Sequence, residues 1–155
     1  MANSDKRVIW NDSITGFTCV LIPSDNCKRT VEEIAEKDVP DGETYYILDT
    51  TAVPTDFTYW EAVNYSPSNG FTWDIAKSKE IQKGMIRTAR EPKLQELDIQ
   101  FQRALETGAS TSSIVTQKQA LRDATASTAL ANATTIAEIK APDRDWETEY
   151  LVLVI

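Results

Sequence analysis

Apolar and polar residues along this chain fall into two regimes. Up to Tyr65 the apolar residues come in short runs: Lys6–Trp10, Phe17–Ile22 and Thr44–Asp49, each bounded by turn residues. Runs of that length and composition predict strands, the first two joined through Asn11–Gly16 as a β-hairpin. Phe57 to Tyr65 is aromatic-rich enough to predict a fourth strand or an extended segment packed on the sheet. Between them Thr30 and Glu33 have capping-box spacing, in which each side chain satisfies a free backbone N–H of the other. They predict a short helix Val31–Lys37 with Val31, Ile34 and Ala35 on one side, ended by the turn Val39-Pro40-Asp41-Gly42.

From Trp73 the period changes. Leu94, Leu97, Phe101, Ala104 and Leu105 recur at helical steps, and Ile81, Met85, Ile86 and Ala89 form a looser stripe before them. The pattern predicts one long helix starting near Thr72 and kinked at Pro92, where a backbone donor is missing. Gly108 is a natural residue to end it. A second helix follows from about Ser112 to Thr125, with Ile114, Leu121 and Ala124 as a thin stripe, expected to return antiparallel to the first. A second capping box, Thr135 and Glu138, opens a short helix around Ile136 and Ile139. Tyr150–Ile155 is an apolar, β-prone run, expected to pair with a sheet edge in its own domain or in a partner. The fold class is therefore α+β: a small β-rich unit with one short helix, then a long kinked helix and an antiparallel helical hairpin. Ser66-Pro67-Ser68-Asn69-Gly70 reads as a linker. It divides the chain into 1–70, a helical 71–125, and 126–155 with a short helix and apolar tail.

Composition narrows the functions. With 155 residues, 41% hydrophobic content and four Trp, the chain can bury a core. The net charge of −8 is distributed as −7 over 1–70, +2 over 71–125 and −3 over 126–155, which argues against a general affinity for nucleic acid or anionic membrane. No apolar run is long enough to span a bilayer, so no membrane partner is expected. Histidine is absent, and with it the commonest neutral-pH acid/base group and zinc ligand. Cys19 and Cys27 are expected to be reduced thiols.

The basic run Lys77, Lys79, Lys83, Arg87, Arg90 and Lys93 is read chiefly as a solvated helix face, with acidic protein partners second and nucleic acid last. The alternating Asp143, Asp145, Glu147 and Glu149 are read as a charged strand face rather than a cation site, because a straight strand spreads its ligands. The aromatic cluster Tyr59, Trp60, Tyr65, Phe71 and Trp73 is read as packing rather than a ligand platform. No phosphate loop, nucleophile elbow or Cys/His metal spacing is present, so neither catalysis nor a cofactor is expected.

The run Val39-Pro40-Asp41-Gly42-Glu43-Thr44-Tyr45-Tyr46-Ile47-Leu48-Asp49, continued by Val53-Pro54-Thr55-Asp56, resembles the N-terminal half of small tailed-bacteriophage proteins with the pattern VPxGxxYxIVDxxxIPxDRxFRxAW. After Asp56 the chain reads Phe57-Thr58-Tyr59-Trp60, where that pattern has basic residues. Ala89 to Leu94, Leu97, Asp98, Phe101, Ala104 to Glu106 and Thr116 to Asp123 resemble the helical hairpin that ends those proteins. They are more loosely similar to the C-terminal hairpin of phage tail-fibre assembly proteins. The resemblance covers most of residues 6–141. It implies a non-catalytic protein of the virion, assembled in the host cytoplasm, whose partners are other phage structural proteins, tail fibre or baseplate first, with homo-oligomers also open. A capsid decoration or neck subunit, or an infection-stage nucleic-acid-binding accessory, are the alternatives. The residues expected to contact partners are Leu94, Leu97, Phe101, Leu105 and Leu121 on the hairpin, and Leu151, Val152 and Leu153 in the apolar run.

Overall fold

A computed structural model describes residues 3–141, and the chain divides into two compact units, Met1–Asp74 and Ile75–Ile155. The expected C-terminal strand, with Leu151, Val152 and Leu153, and the alternating acids from Asp143 to Glu149 lie outside the described residues.

In the first unit β1 (Lys6–Asn11) is central, with β2 (Thr18–Leu21) and β3 (Tyr45–Asp49) antiparallel on either side. Side chains alternate along β1, so Val8 and Trp10 share one face and Ile9 and Asn11 the other. The Val8 face is covered by α1 (Val31–Asp38): Val8, Val31, Ala35 and Val39 form the core, with Trp10, Leu21, Tyr45 and Ile47 packed around them. The capping box starts α1, Thr30 Oγ1 accepting from the Glu33 N–H at 3.3 Å and the Glu33 carboxylate from the Thr30 N–H at 2.9 Å. The β1–β2 turn is held by Asp12, whose carboxylate accepts from the Ile14 and Thr15 N–H groups at 3.0 and 2.7 Å.

A second sheet, β4 (Val63–Ser66) with β5 (Gly70–Trp73), lies against the first. Thr18 Oγ1 donates to the Val63 carbonyl at 2.8 Å, Trp60 Nε1 to the Thr18 carbonyl at 2.7 Å, and Asn11 Nδ2 to the Tyr65 carbonyl at 2.8 Å. Tyr46, Tyr65, Phe71, Trp60 and Phe57 form a row of tilted rings with successive centroids 4.8–5.9 Å apart. The expected aromatic packing is therefore present, with Tyr46 and Phe57 in the row and Trp73 at the end of β5.

This hairpin corrects two sequence expectations. Ser66–Gly70 is its turn, not a linker: Ser66 Oγ accepts from the Asn69 N–H at 3.3 Å, and Gly70 sits at φ +67° where a side chain would be strained. Thr72 and Trp73 are consequently strand, the long helix starts at Ile75, and the division between units follows Asp74. The Phe57–Tyr65 stretch is also not one strand. Trp60–Ala62 makes a helical turn that buries Ala62, beside the buried Tyr59, before β4 begins.

The second unit is helical. α2 (Ile75–Thr107) runs unbroken through Pro92. It ends in a Schellman motif, with Gly108 at φ +68°, its N–H on the Leu105 carbonyl, and the Ala109 N–H on the Ala104 carbonyl. α3 (Ser112–Asp123) returns beside it, and α4 (Thr128–Asn132) and α5 (Ile136–Lys140) follow. α5 opens with the expected Thr135–Glu138 capping box. Residues 126–141 pack into this unit: Leu130, Ala133 and Ile139 are buried, α5 packs on α2, and Lys79 Nζ donates to the Ala131 carbonyl at 2.6 Å.

Candidate functional site

The hairpin of α2 and α3 is where the sequence places the contacts, and its geometry sorts the candidates. Arg90 Nη1 donates to the carbonyls of Leu121 and Arg122, at 3.0 and 2.7 Å. Further along, Lys118 pairs with Asp98 and stands 5.3 Å from the centroid of the Phe101 ring. Positions rising on α2 meet positions falling on α3, so the helices are antiparallel, as expected. Lys118 combines an ion pair with a cation–π contact, and its side chain is only 15% exposed.

Leu97 and Leu121 are buried along this seam, at 7% and 3% exposure, and Leu94 and Phe101 are half-buried on it. Of the residues expected to contact partners, these four are thus wholly or partly covered within the unit. The stripe was read correctly as apolar and its partner is the chain's own α3. Leu105 differs: at 59% exposure it is open to solvent near the loop end of the hairpin. Val115, also exposed and one turn into α3, was not singled out from the sequence, because a lone valine outside the Ile114–Leu121 stripe gives no periodic signal.

In the first half of α2 the buried positions are Ser78, Gln82 and Ile86, one step of four apart. The apolar stripe read there splits: Ile86 turns inward, whereas Met85 and Ala89 are exposed and Ile81 is half-buried. The basic run is largely engaged within the unit. Lys79 and Arg90 cap backbone carbonyls, and Lys83 pairs with Glu80 at 2.7 Å, holding the Glu80 carboxyl below its ordinary value, with Arg87 adding to the effect. The sequence reading was a solvated face; Lys79 and Arg90 are instead engaged on backbone carbonyls of the same unit.

The first unit offers an open recess of about 490 Å³ beside the start of α1, lined by Lys6, Lys28, Arg29, Asp25 and Glu32 among others. Its charges are mixed, and Lys6 already pairs with Asp49 at 2.6 Å. Cys19 and Cys27 are free thiols. Burial, then the charges of Asp12 and Glu43, push the Cys19 thiol up, which holds it protonated at neutral pH. Among the described residues no three Cys, Asp or Glu side chains are grouped to hold a metal ion, and no helix is long and apolar enough to cross a membrane. No known protein family, curated protein or solved structure matches the chain.

Proposed function

We propose that this chain is a non-catalytic bacteriophage protein that binds other virion proteins, associated with the tail or with assembly of its fibres. The observation that carries the reading is the resemblance of 39–56 and 89–123 to small phage proteins that end in a helical hairpin. The hairpin's geometry is compatible with it: a self-closed pair of helices leaves Leu105 and Val115 as apolar side chains exposed near its loop end. Isolated apolar residues on a surface are ordinary; two at one end of a rigid arm suit a small contact on a fibre or baseplate protein. The chain acts in the virion or during its assembly in the host cytoplasm.

Mass spectrometry of purified virions, paired with co-expression of the fibre protein with and without this chain, tests the reading. The chain is expected either in the particle or as a requirement for fibre folding and trimerisation. A fibre that trimerises normally without it, together with virions that lack it, overturns the proposal. Placement on the head by immunogold labelling selects a capsid or neck subunit instead.

A further inference from the structure

Six asparagines occur in the chain, and their surroundings differ in a way that bears on their chemistry. Asn3 and Asn11 use their side-chain amides within the fold, on the carbonyls of Cys27 and Arg29 and of Tyr65. Asn26, Asn64, Asn69 and Asn132 are exposed, and no hydrogen bond among the described residues engages their side-chain amides. What separates these four is the residue that follows. Cys27, Tyr65 and Ala133 each carry a Cβ, whereas Asn69 is followed by Gly70.

Asn69 stands at the tip of the β4–β5 hairpin, in the exposed stretch 67–69. Gly70 pairs with Ser66 at the turn end of the ladder. It sits at φ +67°, and the space where a Cβ would stand is open. A backbone nitrogen attacks the side-chain carbonyl carbon of a preceding asparagine only when it can swing onto it, and a Cβ on its own residue crowds that approach. Glycine removes the obstacle and adds backbone freedom. The sheet has two strands of four residues each. Such a ribbon is marginal by itself, so opening of its terminal pair is a low-cost local fluctuation, and it releases the Gly70 nitrogen.

We propose that Asn69 is a site of spontaneous modification, closing on the Gly70 nitrogen to a succinimide that water then opens. In the first step the Gly70 nitrogen loses its proton to solvent base and bonds to Asn69 Cγ. The Cγ–Nδ2 bond breaks, and Nδ2 takes a proton from solvent and leaves as ammonia. In the second step water adds to one of the two ring carbonyls and the bond from that carbon to the ring nitrogen breaks. Opening at Cγ leaves an aspartyl residue; opening at the backbone carbonyl leaves an isoaspartyl residue, with the chain running through Cγ. Nothing is oxidised or reduced. Either product puts a carboxylate where a neutral amide stood, in a unit that is already acidic. The isoaspartyl form also adds one backbone atom to a turn whose length is fixed by the Ser66–Gly70 pair. The chemistry does not rest on the phage reading.

Incubating the full chain at mildly alkaline pH and physiological temperature, then mapping its peptides by mass spectrometry, tests the site. Asn69 is expected to gain the mass of an amino-for-hydroxyl exchange several-fold faster than Asn26, Asn64 and Asn132 in the same sample. The product should be a mixture of aspartyl and isoaspartyl forms, and the rate should rise with pH. Asn69→Gln is the matching variant, because its longer side chain closes only a larger, slower ring and the position is exposed. It should keep the wild-type circular dichroism spectrum and lose the fast mass gain, whereas Gly70→Ala would strain the turn as well. In the isoaspartyl fraction, separated by anion exchange, amide hydrogen exchange across 63–73 should be faster than in the unmodified chain. Asn69 reacting no faster than the three exposed controls overturns the site. Aspartyl product alone overturns the ring closure, and unchanged exchange in the isoaspartyl fraction overturns its effect on the hairpin.

Discussion

Arg90 Nη1 lies 2.7 Å from the carbonyl oxygen of Arg122, and its second bond, to Leu121, falls on the neighbouring carbonyl in the last turn of α3. The last carbonyls of a helix have no partners within it and carry its negative dipole end, so a guanidinium there satisfies orphan acceptors and opposes their charge. One side chain thereby fixes where α3 stops against α2. Arg90→Met keeps most of the aliphatic stem and removes the donor. It should destabilise the unit by about 1–2 kcal/mol, the range for a partly exposed charged hydrogen bond. Urea unfolding measures the loss, and hydrogen exchange should show it concentrated in the amides of Ser112–Asp123. Uniform loss of protection across α2–α5 would mean that Arg90 does not act locally.

The hairpin residues separate into those that stabilise and those that remain available. Leu97→Ala or Leu121→Ala empties a buried site and should cost about 2–4 kcal/mol. The two should be non-additive in a double-mutant cycle, because both line one seam. Leu105→Ala, on an exposed side chain, should change stability by no more than about 0.5 kcal/mol. If the tail-associated reading holds, Leu105→Asp and Val115→Asp weaken partner binding while melting like the wild type. A Leu105 variant that unfolds as readily as the Leu97 one would place Leu105 in the core instead.

Glu138 is the acid whose titration should be visible in the fold. Its carboxylate accepts from the Thr134 N–H at 2.6 Å, the Thr134 hydroxyl at 3.0 Å and the Thr135 N–H at 3.2 Å. These donors, Thr134 first, hold it below the ordinary glutamate value of 4.5. A group depressed in the folded state contributes stability above its unfolded value, and that contribution is lost as pH falls through the folded one. The start of α5 should therefore loosen on acidification below pH 4.5. Carboxyl NMR should find the Glu138 midpoint under that value, and Glu138→Gln should remove this part of the acid dependence. A midpoint at or above it would mean that the capping box does not form in solution.

Local chemistry made much of this fold legible. The two capping boxes, the Asn11–Gly16 turn, the three strands of the first sheet and the long helix ending at Gly108 all follow from signals within a few residues of where they act. What escaped depends on pairing at a distance. Ser66–Gly70 has the composition of a linker and of a hairpin turn alike, and only the register of Val63 with Trp73 decides between them. On α2, apolar periodicity points to Leu94–Leu105, and the thin stripe of the following helix already calls for α2 as its antiparallel partner. In its first half the buried row begins with Ser78 and Gln82, polar residues that hydrophobic patterning passes over.

Thr18 joins the two sheets of the first unit beside the Asn11–Tyr65 bonds, and its hydroxyl explains why a polar residue is buried there at 2% exposure. It donates to the Val63 carbonyl at 2.8 Å, while the Thr18 carbonyl accepts from Trp60 Nε1 at 2.7 Å. Thr18→Val keeps the shape and leaves the Val63 acceptor without this donor, which should cost about 1–3 kcal/mol. Trp60→Phe removes the indole donor from the opposite side and loses packing against Phe57 and Phe71 as well, so its cost should be at least as large. Both are read by chemical denaturation of the full chain, with tryptophan fluorescence in the Thr18 variant reporting chiefly on the first unit, which holds Trp10, Trp60 and Trp73 of the four. Because the two bonds share one residue, the double variant should lose less than the sum of the singles; strict additivity would show that the two bonds act independently.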